Sequence, residues 1–213
     1  MGCLAGPVVV CAVGIKKDFH DKAHKNLRNL RESKLLSATQ REKFTEQLVR
    51  EHGLVYALAS CSPKIIDKVN IYQAARLAMR RAIQKLLANS KFKTLNSKQT
   101  QNSPPEADQP LAEKPKIQNK TIVLVDGKTN IKGLNMEQMA VVKGDRKVFA
   151  IACASIIAKG HRDKMMTRYA KKYPGYGFEK HKGYGTLHHK AQLVLMGPCE
   201  IHRKSFAPVA KLL

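Results

Sequence analysis

Between Leu54 and Leu87 the hydrophobic period switches from that of a strand to that of a helix, and this switch sets the narrowest limit on the fold. Leu54 to Ser60 is a short apolar run bounded by Ser62-Pro63, which predicts a strand. From Ile65 to Leu87 the apolar residues recur at helical spacing, at Ile71, Ala74, Ala75, Ala78, Ala82 and Leu86, with Arg76, Arg80 and Arg81 mostly on the polar side. The same alternation recurs along the chain. Leu4 to Val13 is β-branched and apolar, as expected of a strand covered on both faces. Ser37 has the chemistry of an N-cap for a helix through Arg41, Phe44, Leu48 and Val49 that stops at Gly53. Thr121 to Val125 predicts a strand ending in Asp126-Gly127, and Val148 to Tyr169 a helix of small residues. Strands alternating with helices predict an α/β fold, and no internal repeat competes with it.

Two segments break the alternation. Asn89 to Asn119 is rich in Ser, Asn, Gln, Lys and Pro and offers almost nothing to a core, so residues 89–119 read as a flexible insertion in a single domain over 1–213. Residues 173–208 are dense in Gly, aromatic and basic residues, with helical spacing resuming near His189 to Leu195 until Gly197-Pro198.

Charge narrows the partners. The chain carries 39 Lys+Arg against 16 Asp+Glu, a formal net charge of +23. Such an excess points to a polyanion, nucleic acid being the commonest; a merely basic soluble surface is the alternative. Cys3, Cys11, Cys61, Cys153 and Cys199 include no C-x-x-C pair, which argues against a zinc knuckle and suits a reducing cytoplasm. The apolar first fifteen residues lack a basic leader, are interrupted by Pro7 and are too short to span a bilayer. No membrane association and a monomeric state are the expectations.

Asp126 stands at the carboxyl end of a strand, where α/β sheets build sites, and a carboxylate there can hold a hard divalent cation; an ordinary Asp-Gly turn is the alternative. Asp163 lies late in an apolar helix, with Ser155 and Lys159 on neighbouring turns of roughly one face, so it either joins a shared metal or pairs with Lys159. In the tail, Lys and Arg can neutralise phosphates, Tyr faces can stack on bases or sugars, and Gly permits close backbone approach. A glycine-rich loop whose tyrosines fill the core edge is the alternative. His181, His188, His189 and His202 fit no common zinc spacing and read as surface or phosphate-facing side chains.

Several blocks fall in a recognisable order. Leu4-Ala5-Gly6-Pro7-Val8-Val9 looks like the second half of the opening motif Asp-Glu-Ala-Gly-Arg-Gly-Pro-Leu-Ala-Gly-Pro-Val. Glu32-Ser33-Lys34-Leu35-Leu36-Ser37 looks like Asp-Ser-Lys-Lys-Leu-Ser. Val125-Asp126-Gly127 is similar to a strand bearing a third carboxylate. Lys143-Gly144-Asp145 through Ala154-Ser155-Ile156-Ile157-Ala158-Lys159 to Arg162-Asp163 is similar to a helix bearing a fourth. The tail is the most specific block, in Tyr173-Pro174-Gly175-Tyr176-Gly177-Phe178, His181-Lys182-Gly183-Tyr184-Gly185-Thr186 and His202-Arg203-Lys204-Ser205-Phe206-Ala207-Pro208. Together, over nearly the whole chain, these blocks resemble the ribonuclease HII family.

The resemblance implies a ribonuclease H-like mixed sheet flanked by helices, with a helical, glycine-rich C-terminal region. It implies an endonuclease that cuts the RNA strand of RNA–DNA hybrids and acts at ribonucleotides embedded in DNA, leaving 5′-phosphate and 3′-hydroxyl ends. Catalysis would use two ions, Mn2+ or Mg2+, about 4 Å apart. Asp126 and Asp163 would be catalytic metal ligands. Gly2, Ser33, Lys34, Lys182, Gly183 and Tyr184 would bind substrate, with Tyr184 recognising the sugar at an RNA–DNA junction and 173–208 forming the substrate-binding region.

The sequence also departs from the pattern. Met1 falls where the opening motif has Arg, Gly2 on its second Gly and Cys3 on its Pro, so the motif's Asp-Glu pair and the central strand before it have no counterpart here. A late start assignment or a fragment is the favoured explanation; a non-catalytic nucleic-acid-binding descendant is the alternative, and a basic ribosome-associated protein a third reading. Unpaired strand neighbours cost roughly 1–3 kcal/mol per buried group, so these 213 residues are expected to fold poorly and to be inactive. Among smaller departures, Glu32 replaces an Asp, Ala150 stands where Ser is common, and Gly160 costs its helix roughly 1 kcal/mol relative to Ala.

Overall fold

The computed structural model describes residues 2–15, 37–50, 53–97 and 121–213. Strand β1 (Val8–Ile15) pairs antiparallel with β2 (Leu54–Cys61), Val8 opposite Cys61 and Ile15 opposite Leu54. The period-2 alternation of β1 is used on both faces, as expected of a strand covered on both sides. Cys11, Val13 and Ile15, with Tyr56 and Leu58, pack against Cys153, Ile156 and Ile157. Val8, Val10 and Ala12 pack the other way, towards Ala74, Ala78 and Ile83. The helices supplying those two sides are α2 (Pro63–Ala88) and α5 (Phe149–Lys172).

Helix α2 begins under Ser62, whose hydroxyl accepts from the Ile65 N–H, with Pro63 in the first turn where its missing N–H costs nothing. It is not the single regular helix that the spacing predicts. Asn70 has φ 68° and ψ 164°, which breaks the helical path. Its Oδ1 accepts from the Tyr72 and Gln73 N–H groups at 2.9 and 3.0 Å, so Asn70 caps a second helical run. Apolar spacing is blind to such a break, because the same face stays buried on both sides of it. Just beyond α2, helix α3 (Ser90–Ser97) occupies the start of the segment expected to be a flexible insertion, and Phe92 is buried with Val55 and Leu86. Residues 98–120, the rest of that segment, lie outside the described residues.

Strand β3 (Val123–Asp126) pairs parallel with β4 (Gln138–Val141), a strand too short for its period to stand out in the sequence. The intervening loop is fixed by Gln138. Its Oε1 accepts from the Ile131 N–H at 2.8 Å, and its Nε2 donates to the carbonyls of Ile131 and Leu134 at 3.1 and 3.2 Å. Among the described residues the sheets are therefore two, each of two strands. Helix α1 (Ala38–Arg50) lies against α5 at Gly160, where a Cβ would stand 2.7 Å from Thr45 Oγ1. That close approach is what the glycine in the helix provides.

The remaining elements, α4 (Gly144–Lys147), α6 (Phe178–His181), α7 (Leu187–Met196) and α8 (Ala207–Ala210), are short. Phe178, Leu193, Ile201 and Val209 close a C-terminal core on Leu4, Ala5 and Met166. The ends of the chain thus meet, through isolated bridges pairing Cys3 with Tyr184 and Ala5 with His202. Among the described residues no helix is long and apolar enough to cross a membrane.

Candidate active site

Asp126 is the last residue of β3, and its Oδ1 accepts the Gly144 N–H at 2.9 Å, reaching across to α4 rather than closing its own Asp-Gly turn. The carboxylate lines a mainly apolar cavity of about 760 Å³ that opens between β1 and β3, with Ser155, Lys159 and Arg162 of α5 also on its wall. Asp163 follows Arg162 on α5 and is partly buried. Its charge acts on Tyr184, so the helix that bears this acid also faces the tail.

Tyr184 is 53% exposed, in a loop built by backbone contacts. The Leu4 and Ala5 N–H groups donate to the Gly183 carbonyl at 2.8 and 3.3 Å. Gly183 has φ +81°, and a Cβ there would stand 2.6 Å from the Ala5 oxygen, so only glycine lets the two chains meet. The Tyr184 phenol is held above its ordinary pKa by burial and by Cys3, which also hydrogen-bonds it, while the Arg162 guanidinium pulls the other way. The Lys182 ammonium donates to the Thr167 hydroxyl at 3.0 Å and the Glu179 carbonyl at 2.6 Å, engagements that a phosphate would have to displace. Gly2 is exposed beside Cys3, and Ser33 and Lys34 lie outside the described residues.

Arg162 and Arg203 grip the segment Ala5–Pro7. Arg162 donates from Nη2 to the Ala5 carbonyl at 3.1 Å, from Nε to the Pro7 carbonyl at 3.2 Å and from Nη1 to the Lys182 carbonyl at 2.9 Å. Arg203 is buried; it donates from Nε to the Gly6 carbonyl at 3.0 Å and from Nη2 to the Pro7 carbonyl at 3.5 Å. Burial brings its guanidinium down to about 10.

The histidines correct the sequence reading. His189 and His202 are fully buried, not surface or phosphate-facing. The Cys199 N–H donates to His202 Nδ1 at 2.9 Å, so the proton of His202 sits on Nε2 and is given to His189 Nε2 at 3.1 Å. His189 then keeps its proton on Nδ1 and donates it to the Tyr184 carbonyl at 2.8 Å. Burial holds both rings neutral, His202 as low as about 4. His181 joins the lock: it accepts the Gly183 N–H at Nδ1 and donates from Nε2 to the Tyr176 carbonyl at 2.7 Å. This is a structural network beneath Tyr184, and among the described residues no three His, Cys, Asp or Glu side chains converge as a metal cage.

The structure therefore gathers Arg162, Asp163, Lys182, Gly183 and Tyr184 round one loop, with Arg162 also on the cavity wall beside Asp126. Sequence reasoning missed the roles of Cys3, Arg162 and Arg203. Their partners are chiefly backbone carbonyls distant in the chain, which leave no side-chain signal.

The family description Ribonuclease HII matches residues 1–209. Ribonuclease HII of Caldicellulosiruptor saccharolyticus is 40% identical over 205 residues, covering 96% of this chain and 82% of that protein. Ribonuclease HII of Endomicrobium trichonymphae is 41% identical over 208 residues, covering 98% and 81%. Among solved structures, the ribonuclease H2 of Pyrococcus horikoshii OT3 superposes with a TM-score of 0.63 at 23% identity, covering 99% of this chain and 92% of that one, a likeness of fold. A match spanning nearly the whole chain, with relatives of that identity, means that this chain belongs to the ribonuclease HII family of endoribonucleases.

Proposed function

We propose that the protein binds RNA–DNA hybrids and DNA duplexes holding single ribonucleotides, and that its site hydrolyses the ribonucleotide-bearing strand to 5′-phosphate and 3′-hydroxyl ends. The observation that carries this reading is the half-exposed Tyr184 ring facing Arg162, on the helix that also carries Asp163. An exposed ring face packed on a helix that carries an acid suits a sugar whose neighbouring phosphate is to be attacked, and the 2′-OH is the group by which RNA differs from DNA. The +23 charge supports a polyanionic ligand.

Asp126 and Asp163 are hard oxygen donors of the kind that Mg2+ and Mn2+ take. Bound divalent ions would supply Lewis acidity and an activated water at the scissile phosphate. The chain's own residues orient the duplex: Tyr184 against the sugar, Gly183 and Gly2 through their backbones, Ser33, Lys34 and Lys182 towards the phosphates. Two carboxylates are part of a donor set, and no group of three potential ligands stands among the described residues. In a second reading, set by the opening motif's Asp-Glu pair having no counterpart in the sequence, these 213 residues bind duplex without cutting it.

A nicking assay separates the readings. With Mn2+ present, the 213-residue protein is expected to bind a ribonucleotide-containing duplex without cutting it. Protein extended by the motif's Asp-Glu segment ahead of Met1 is expected to nick it. Asp126→Asn in that extended protein should lower the rate at least about a hundredfold, the scale on which loss of one stabilising charge acts. Undiminished nicking in Asp126→Asn would remove the metal-ligand role, and nicking by the 213 residues alone would remove the binding-only reading.

A further inference from the structure

We propose that Arg162 is the positioning residue that fixes the Tyr184 loop relative to the helix carrying Asp163, and so sets discrimination between ribose and deoxyribose. The inference rests on the reading of Tyr184 as the sugar-recognising ring. Its physical basis is a fork geometry. A guanidinium has five donors in one plane, and three different nitrogens of Arg162 each hold a carbonyl: Ala5, Pro7 and Lys182. Two of those carbonyls belong to the segment that donates to Gly183, and the third immediately precedes Gly183. Arg162 therefore holds both sides of the junction that carries Tyr184.

The ring itself is held less tightly. The Arg162 guanidinium carbon lies 5.9 Å from the Tyr184 centroid, at the outer limit of a cation–π contact. Three charge-assisted bonds to carbonyls outweigh one such contact, so the arginine acts mainly through the loop backbone. Because Arg162 and Asp163 are consecutive on α5, sliding Tyr184 relative to the acid requires breaking the Lys182 bond. A lysine cannot replace it: an ammonium is a point donor and does not span carbonyls spread along a fork. Arg203 grips Gly6 and Pro7 independently, so Arg162→Lys should leave the segment near Pro7 in place and free chiefly residues 182–184.

Phosphate ligation is the rival role for Arg162, and the two roles give different results. Affinities are measured by fluorescence anisotropy in EDTA for one short duplex with a single ribonucleotide and for its all-deoxy twin, with the 213-residue protein and with Arg162→Lys and Tyr184→Ala. Amide exchange is followed in the free proteins. Arg162→Lys is expected to lower the ribo-to-deoxy affinity ratio about tenfold, the change produced by losing one well-placed contact. All-deoxy affinity and its salt slope should hold. Exchange should speed at Leu4, Ala5 and Tyr184 while α5 stays protected, which also shows that the variant is folded.

Equal weakening on both duplexes with a shallower salt slope would make Arg162 a phosphate ligand and overturn the proposal. So would an unchanged ratio in Arg162→Lys when Tyr184→Ala abolishes discrimination. An unchanged ratio in Tyr184→Ala, or none to begin with, overturns the sugar-recognition reading and with it the specificity role. Unaltered exchange in Arg162→Lys removes the positioning role by itself.

Discussion

His202 is a buried ring whose environment departs far from that of a free side chain, and this gives the protein an acid limit. Its ring is buried, faces the His189 ring and is held neutral to about pH 4. An unfolded histidine takes up its proton near 6.5, so between those values the unfolded chain binds more protons than the folded one. Stability should therefore be full above pH 6.5, fall as pH drops towards 4 and level off below. The His202 contribution to that loss is about 3 kcal/mol, from the difference between the two pKa values. Urea unfolding at pH 7 and pH 4.5 checks it. Carboxylates such as Glu200 add their own acid loss, so the test is the difference from His202→Gln, whose pH dependence should be shallower. At this scale the placement of the two candidate acids was legible: Asp126 at a strand end, because a charged residue closes an apolar run, and Asp163 on a helix, because the apolar period runs through it. The buried histidines were not, because neutral imidazoles inside a core and exposed ones are spelled alike.

Helix α5 shows how an element can carry a locally unfavourable residue for a contact elsewhere. Gly160 costs roughly 1 kcal/mol of helix propensity. An alanine would recover that, but its methyl would stand 2.7 Å from Oγ1 of Thr45, a β-branched side chain with little room to turn. Overpacking of this kind costs typically 1–3 kcal/mol, so Gly160→Ala should destabilise the protein by about 1 kcal/mol on balance. In a Thr45→Ala background the same substitution should become stabilising, and the sign reversal is read from thermal or urea melts of the four proteins. Elements with a clear period, such as β1 and α2, could be read from the sequence because two faces of burial leave a long pattern. The break at Asn70 and the strand Gln138–Val141 could not: one is a single backbone dihedral, the other four residues of mixed character.

Over the whole molecule the dominant quantity is charge. With +23 spread along 213 residues, duplex affinity should fall linearly in log–log form as salt rises, with a slope of about −0.9 per phosphate neutralised. If six to ten phosphates are engaged, raising salt from about 50 to 200 mM should weaken binding roughly 10³- to 10⁵-fold, measured by anisotropy titration. A nearly flat dependence would argue against a duplex ligand. The α/β class and the basic character were both readable in advance, whereas the meeting of Cys3–Pro7 with Tyr184 and Arg203 depends on contacts across nearly the whole chain length.

The cavity between β1 and β3 has a colloidal consequence. Among the described residues each of these strands has one partner, and the hollow between them is lined mainly by apolar side chains. Apolar surface of that kind adheres to apolar surface on neighbouring molecules. Mutual repulsion between highly cationic particles keeps them apart in dilute buffer, and added electrolyte shortens its reach from about 30 Å at 0.01 M to about 8 Å at 0.15 M. The ionic conditions that loosen this protein from nucleic acid are therefore also those under which its molecules are freest to adhere to one another.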